Sequence, residues 1–311
     1  MNMERFLGSA PVSGMWDRAT EGRLRVLAYH QVPDPDLFAA HLDLIVDRYK
    51  AVTGRQVADS LTAGPPLPPR PLWITFDDGD LSVVRHALPL LSARGLPATA
   101  FVCAGWIGSD EMPWWDVVDL AFEAEAVRPD DLGTTDRLTL LRLLKQMPDQ
   151  QRRDLVGEWS TRCESAGTAT ASEQWSVDDL HEWVDAGNEV GNHSWDHPCL
   201  IRCAPDEQAR QVTDSHVRLT ELLGATPDLF AWPNGDPSRP ALEALRELDY
   251  RLVLGFDHRV CGRKIDPSAV PRLRIDSNVT VPRAHAIMSG VHASVFHLSH
   301  RMKRGGADDS R

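Results

Sequence analysis

Two short segments of this 311-residue chain carry side chains that could bind one metal ion. Asp77 and Asp78 follow a short apolar run, and His193 and His197 lie much later in the chain. Histidines at positions i and i+4 can converge on one ion, and a carboxylate can complete a three-ligand site. Three protein ligands leave positions open for water and for a substrate carbonyl. The pattern therefore predicts a hydrolase in which one carboxylate binds the metal and its neighbour takes a proton.

The alternative is that Asp77 and Asp78 cap the N-terminus of a helix, which is common for an isolated Asp-Asp-Gly sequence. The His-x-x-x-His pair favours the metal site over this alternative. Cys199 and Cys203 follow that pair, but they are not spaced as Cys-x-x-Cys and no second pair exists. A structural zinc site at these cysteines is therefore not favoured.

Three segments, in order, resemble the motifs of a known enzyme family. They are TFDDG at 75–79, HSWDH at 193–197 and FAWPNG at 230–235. Their order and spacing are similar to those of the polysaccharide deacetylases, carbohydrate esterase family 4, which include chitooligosaccharide, peptidoglycan and poly-N-acetylglucosamine deacetylases. The resemblance extends from about Leu24 to Ser289. It implies a distorted (β/α) barrel and an enzyme that hydrolyses the linear amide C–N bond of an N-acetylated sugar or glycan.

The resemblance also implies roles for individual residues. Asp78, His193 and His197 correspond to the metal ligands, and Asp77 corresponds to the base that deprotonates the water. Zinc suits one aspartate and two histidines, while cobalt, nickel or manganese can occupy such a site according to availability.

The proton donor for the departing amine is expected at the beginning of the chain. Most relatives place it on a histidine after a strand near the C-terminus, but here the C-terminal histidines lie on or beside an amphipathic helix: His285, His292, His297 and His300. The apolar run Leu24 to Tyr29 instead predicts a strand that ends at His30. This resembles the circularly permuted branch of the family, whose last barrel strand comes first, and a closed barrel tolerates such a cut. His30 is the predicted general acid; the alternative is a strand-end histidine bonded to backbone.

The third motif departs from the commonest form in the family. Many members place an arginine before the Pro-aromatic-Gly segment, where it orients the catalytic aspartate, whereas this chain has Phe-Ala at 230–231 and Asn234 in place of the aromatic residue. We expect Trp232, Pro233 and Asn234 to line the substrate and oxyanion region, with the backbone N–H of Asn234 as a donor. Ordinary core packing of Trp232 is an equal alternative. Arg272 is the candidate for the missing cation.

Strand-like apolar runs alternate with helical periodicity, which predicts repeated β-α units in one domain over residues 1–311, with a core at about 24–300 and a flexible tail at 303–311. Between about 111 and 170 the strand signal disappears, so a helical insertion is expected there. Packing on the flank of the barrel is its favoured role, and a lid or an oligomer contact is the alternative. The expected strands include Leu24–Tyr29, Leu72–Phe76, Ala98–Val102, Glu189–Gly191 and Arg251–Leu254, and a final helix is expected over Arg283–Leu298.

Composition restricts the partners. A formal net charge of −12 argues against nucleic acid, because phosphate binding needs a concentrated basic surface. The one basic cluster, at 301–304, is interpreted as a solvated helix end. No run approaches the roughly 20 apolar residues of a membrane span. The N-terminus lacks a secretory pattern, and the five cysteines form no regular framework, which together predict a cytoplasmic protein.

The expected partner is therefore an N-acetylated carbohydrate or a small amide. Two other functions stay open at this point. The chain could deacylate a small soluble amide or a biosynthetic intermediate, or it could be a catalytically silent carbohydrate-binding module. A base adjacent to a metal argues against the silent module, because recognition alone does not need one.

Overall fold

A computed structural model of the chain describes residues 10–134, 136–165 and 173–296. His297, His300, the basic cluster at 301–304 and the predicted tail lie outside these residues. Within the described ranges, no helix combines the length and apolar character needed to cross a bilayer.

The centre of the fold is a sheet whose strands pair in parallel. In spatial order the strands run β7-β6-β5-β4-β3-β1-β8, and β2 pairs with the start of β3. Val270, just before β8, pairs with Leu254 of β7, so the segment entering β8 joins the two edges of the sheet. The predicted distorted (β/α) barrel is therefore confirmed. In the described part of the chain the strands are β1 (Arg25–Tyr29), β2 (Lys50–Ala51), β3 (Pro71–Asp78), β4 (Ala98–Val102), β5 (Glu189–Asn192), β6 (Leu229–Ala231), β7 (Leu252–Leu254) and β8 (Leu273–Arg274).

Helices connect these strands, and a π-helical stretch at Val83–Ala87 leads into the helix Leu88–Ser92. The predicted final helix is wrong in its continuity. The helix Val281–Ser289 ends before Gly290, and residues 291–296 form a separate helical segment. Gly290 between them has φ +88°, a left-handed conformation that glycine adopts without a Cβ penalty. The helices are α1 (Ala10–Ala19), α2 (Pro35–Arg48), α3 (Gly54–Ser60), α4 (Leu88–Ser92), α5 (Trp114–Glu123), α6 (Pro129–Leu132), α7 (Arg137–Leu144), α8 (Asp149–Ser165), α9 (Val177–Asp185), α10 (Pro205–Leu223), α11 (Arg239–Glu247) and α12 (Val281–Ser289).

Strand β1 lies in the barrel wall between β3 and β8. Leu27 pairs with Ile74 of β3 on one side and with Leu273 of β8 on the other. All five residues of β1 are buried, as expected for a parallel strand covered on both faces. A strand from the beginning of the chain thus lies beside the last one, which is the placement that the permutation hypothesis requires.

The register of the strands brings the chemically active side chains to one end of the barrel. Tyr29 pairs with Phe76, and these are the residues directly before His30 and Asp77. Strand β4 pairs with β3 and β5 in the same parallel sense, so His193, which follows β5, emerges at the same end. The carboxyl ends of barrel strands are where barrel enzymes gather their catalytic groups.

Helices α5 to α8 occupy the predicted insertion between β4 and β5. They enclose a hydrophobic cluster of their own, in which Val118, Leu140, Leu144 and Trp159 are fully buried. Because this cluster is separate from the barrel core, the insertion has its own hydrophobic packing.

Glu189 at the start of β5 stabilises the opposite end of the barrel. Its carboxylate accepts hydrogen bonds from the backbone N–H groups of Gly54 and Arg55, at 2.6 and 3.0 Å, and from Thr99 Oγ1 at 2.7 Å. The Glu189 carboxylate therefore lies at the N-terminus of α3, where a negative charge is favourable. A buried donor without an acceptor costs stability.

We expect Glu189→Ala to lower the free energy of unfolding by about 2–4 kcal/mol, since several buried donors lose their acceptor. Glu189→Gln keeps one acceptor oxygen and is expected to lose less. Denaturant unfolding measures both, and turnover at 25 °C should stay unchanged because the catalytic groups lie at the other end of β5. A Glu189→Ala protein with the stability of the wild type would contradict this account.

Candidate active site

Asp78, His193 and His197 converge at the carboxyl end of the sheet. The Asp78 Oδ1 atom lies 3.3 Å from His193 Nε2 and 3.6 Å from His197 Nε2. Ligand atoms bonded at 2.0–2.2 Å to a tetrahedral ion are about 3.3–3.6 Å apart, so these atoms have the spacing of a coordination shell. Within the described ranges this is the one cluster of His, Cys, Asp or Glu with metal-binding geometry.

The hydrogen bonds around this triad leave the same atoms available to a metal. His193 Nδ1 lies 2.8 Å from the carbonyl oxygen of Ala231. Because a carbonyl only accepts, Nδ1 carries a proton, and Nε2 is the nitrogen that faces Asp78 and would bind a metal. Burial lowers the pKa of His197 to about 3, which keeps that imidazole neutral. Asp78 Oδ1 is buried without a hydrogen-bond donor among the described residues, so the donor set fits a divalent cation.

The loops that carry these groups contain unusual backbone conformations. Asp78, Ser194, His197 and Asn234 have φ between +51° and +77° although none is a glycine. Such conformations cost about 1–3 kcal/mol each and persist when the surrounding contacts over-determine them. The positions of the side chains of the candidate metal site are therefore set by packing and hydrogen bonds outside the triad.

Asp77 is buried beside the triad but faces a different partner. The Arg272 Nη1 and Nη2 atoms donate to its two carboxylate oxygens at 2.6 and 2.8 Å, while Arg272 Nε donates to the carbonyl of Gly255. Burial raises the pKa of Asp77, but the Arg272 guanidinium and His193 together outweigh burial and hold this pKa below its usual value. Asp77 is thus an ionised, fixed carboxylate whose Oδ2 lies 4.0 Å from His193 Nε2.

His30 and the triad line one cavity of about 200 Å³, together with Asp77 and Arg272. The His30 ring packs edge-on against Phe256, with 5.7 Å between ring centroids. This places His30 on the barrel face that carries Asp77 and His193.

The other histidines considered for the acid role have different surroundings. His285 is buried and lies 3.3 Å from Asp17 Oδ2, and His292 lies 2.9 Å from a nitrogen of His258. Neither lines the cavity that contains the triad.

The third motif contributes to the same cavity in part. Trp232 is buried against Phe230, at a centroid distance of 5.0 Å, and it also lines the cavity. Asn234 lines the cavity, whereas Pro233 is buried and does not. Pro233 starts the short turn whose next residues reach the cavity, and its place in the substrate region stays a prediction. Gly235 in that turn must be a glycine, since a Cβ would lie 2.4 Å from that of Phe256.

The profile of the family described as polysaccharide deacetylase matches residues 64–253. The chain belongs to the polysaccharide deacetylase family. The matched region contains the aspartate pair, both histidines of the candidate metal site and the third motif. His30 and Arg272 lie outside it, so their roles rest on the geometry described above.

Individual relatives agree with this family. Poly-beta-1,6-N-acetyl-D-glucosamine N-deacetylase from Escherichia coli (strain K12) is 22% identical over 235 residues, which cover 74% of this chain and 31% of that protein. Peptidoglycan-N-acetylmuramic acid deacetylase PdaC from Bacillus subtilis (strain 168) is 37% identical over 62 residues, 20% of this chain and 13% of that protein. This chain therefore spans less than a third of the length of either relative.

Solved structures share the polysaccharide deacetylase fold. Streptococcus pyogenes deacetylase PplD in complex with acetate superposes with a TM-score of 0.60 at 19% identity, covering 86% of this chain and 99% of that one. IcaB from Ammonifex degensii gives a TM-score of 0.60 at 24% identity, covering 86% and 97%.

Three further side chains line the cavity: Trp115, a tryptophan whose sequence suggests either sugar stacking or core packing, and Lys145 and Phe256, which sequence reasoning missed. The Trp115 ring packs edge-on against His197 at a centroid distance of 4.9 Å. Trp115 and Lys145 belong to the insertion, which therefore forms part of the site instead of packing only on the flank of the barrel. No local motif marks these residues, because only the docking of the insertion brings them to the triad.

The cysteines after the second histidine do not belong to the cluster of candidate metal-binding side chains found among the described residues. Cys203 Sγ lies 3.7 Å from the carbonyl oxygen of Cys199, and both side chains are buried. All five cysteines of the chain are free thiols, as expected from their irregular spacing.

Proposed function

We propose that this protein is a metal-dependent N-deacetylase that releases acetate from an N-acetylated sugar or glycan. The observation that carries this proposal is the arrangement of one cavity, in which an Asp-His-His triad lies beside an aspartate held by Arg272. Membership of the polysaccharide deacetylase family supports the same reaction. Zinc is the proposed ion, held by Asp78, His193 and His197, with cobalt, nickel or manganese as substitutes.

In this proposal each side chain of the cavity has one task. A divalent ion held by Asp78, His193 and His197 would lower the pKa of a water molecule and would polarise the acetyl carbonyl. Asp77 accepts the proton of the attacking water, and Arg272 holds its carboxylate in place. The backbone N–H of Asn234 donates to the developing oxyanion. Trp232 provides an apolar wall for the acetyl group.

The remaining task is protonation of the amine. His30 is the proposed donor, because it lines the cavity together with Asp77 and the triad. Cleavage of an amide needs such a donor, since an unprotonated amine is a poor leaving group.

The test of this function is acetate release by metal-free and zinc-reconstituted protein. Oligomers of N-acetylglucosamine with β-1,4 and β-1,6 linkages, peptidoglycan fragments and small N-acetyl amides serve as substrates. We expect zinc-dependent release from at least one glycan. Release from the small amides alone would favour the small-amide deacylase, and glycan binding without release would favour the silent binding module.

A separate prediction concerns His30. We expect His30→Ala to lower kcat on N-acetyl sugars by about 10²–10⁴-fold without changing the metal content, since the amine loses its proton donor. The loss should be much smaller on an acetyl ester with an acidic phenol leaving group, which departs without a proton. His181→Ala, which removes an exposed imidazole elsewhere, is the matched control. Equal losses on amide and ester would reassign His30 to another role.

A further inference from the structure

The metal loop, residues 193–197, is held from two sides through Asp196. From the insertion, both Nη atoms of Arg153 donate to the Asp196 carboxylate, with 2.9 Å between Nη2 and Oδ1. From α10, Gln211 Nε2 donates to Asp196 Oδ1 at 2.9 Å. Gln211 Oε1 also accepts from the backbone N–H groups of Trp195 and Asp196, at 3.1 and 3.3 Å. The segment between the two histidine ligands is therefore fixed by helices that contain neither of them.

Arg153 is itself anchored in the insertion. Its Nε donates to Asp149 at 2.6 Å, and Asp149 also pairs with Arg152. The Arg152 guanidinium lies over the Trp114 ring, 4.8 Å from the centroid, and Trp114 Nε1 donates to the carbonyl of His197 at 3.3 Å. The insertion is therefore connected to the metal loop at two places. Arg153 binds Asp196, and Trp114 donates to the carbonyl of His197.

The loop needs such support because its backbone is strained. Ser194 and His197 have φ of +74° and +51°, which residues with a Cβ rarely adopt. A single exposed ion pair contributes little, but Arg153 binds Asp196 through two parallel hydrogen bonds and is itself held by Asp149. The geometry is therefore suited to fixing the direction of the loop.

We propose that Arg153 is a positioning residue for the metal site, which holds the imidazoles of His193 and His197 toward Asp78 before the metal binds. This inference rests on the metal centre of the proposed function. It also assigns a task to the insertion, whose Arg153 binds Asp196 between the two histidines. Outer-shell partners of metal ligands typically change metal affinity by about 10–100-fold.

A positioning role and a simple charge effect predict opposite results at this residue. Arg153→Gln leaves the Asp196 carboxylate without its cation, so Coulomb attraction alone would strengthen the binding of a dication. Loss of positioning weakens it. Arg153→Lys keeps the charge but lacks the planar fork that binds both carboxylate oxygens, so only positioning predicts a loss there as well.

The experiment measures the zinc Kd of the metal-free full chain by competition with a chromophoric chelator. We expect Arg153→Gln and Arg153→Lys each to raise the Kd by about 10–100-fold. Arg210→Gln is the matched control. Arg210 lines a surface groove together with Arg153 and Asp196, but it pairs with Glu207 and does not contact the metal loop. The Kd of this variant should equal that of the wild type.

The visible spectrum of the cobalt-loaded protein gives a second readout. It responds to the geometry of the ligands, so it should change in Arg153→Lys even when all of the protein is folded. If Arg153→Gln does not fold, Arg153→Lys alone still tests the positioning role. A wild-type Kd and spectrum in Arg153→Lys, or tighter zinc binding in Arg153→Gln, would overturn the positioning role.

Failure of the metal centre itself has a different outcome. Zinc binding by the wild type that disappears in His193→Ala/His197→Ala establishes the centre, and unchanged Arg153 variants then overturn this inference alone. A wild type that binds no zinc would overturn both proposals.

Discussion

Asp77→Asn is expected to lower kcat by about 10²–10⁴-fold while the protein retains its metal. The amide keeps the shape of the side chain but cannot accept a proton from water. The metal content should not change, because Asp78, His193 and His197 are intact. Initial rates of acetate release and elemental analysis of the same sample measure the two quantities.

The same substitution has a cost in stability. Arg272 is almost fully buried and would lose its anionic partner. Breaking a buried ion pair from one side typically costs about 3–5 kcal/mol, so kcat must be measured where unfolding curves show the variant to be folded. Asp80→Asn is the matched control, since Asp80 is a nearby buried carboxylate that bonds Ser82 and does not line the cavity. Near-normal turnover of folded, metal-loaded Asp77→Asn would assign Asp77 a structural role.

The His193→Ala/His197→Ala double variant is expected to lose both metal and turnover. Two of the three proposed ligands are removed, and Asp78 alone cannot hold a divalent ion against chelator. The barrel should stay folded, because neither imidazole belongs to its hydrophobic core. Metal content after dialysis, acetate release and far-UV circular dichroism measure these three properties.

His181→Ala serves as the control for this variant as well, since it removes an imidazole far from the cavity. Its metal content and turnover should match the wild type. Stoichiometric metal in the double variant would show that the metal site lies elsewhere.

The chain sequence by itself determined the parts of the protein that depend on local pattern. Apolar runs fixed most barrel strands to within one or two residues, because a buried parallel strand needs a continuous apolar segment. The convergence of Asp78, His193 and His197, the proposed ligands, was predictable for a similar reason. The aspartates end one strand and the histidines lie four residues apart after another, and parallel strands place such ends at one face of a barrel.

His30 shows how far such reasoning extends. A histidine at the end of the first strand was predicted to face the site, and the pairing of β1 with β3 and β8 brings it to the cavity. Gly290 shows that the sequence pattern can fail even for a local feature, the end of a helix. The helical periodicity of the C-terminal segment continues through this residue, but its left-handed conformation ends α12 there.

Only the tertiary structure decided which distant side chains meet at the site. Arg272 is the cation that the sequence suggests, but only the fold shows its two hydrogen bonds to Asp77, which lies 195 positions away in sequence. Trp115, Lys145 and Phe256 carry no motif, so the sequence alone did not place them at the site. Their positions depend on how the insertion and the loop after β7 pack against the barrel. Such packing is set by many weak contacts between remote residues, which a local pattern does not contain.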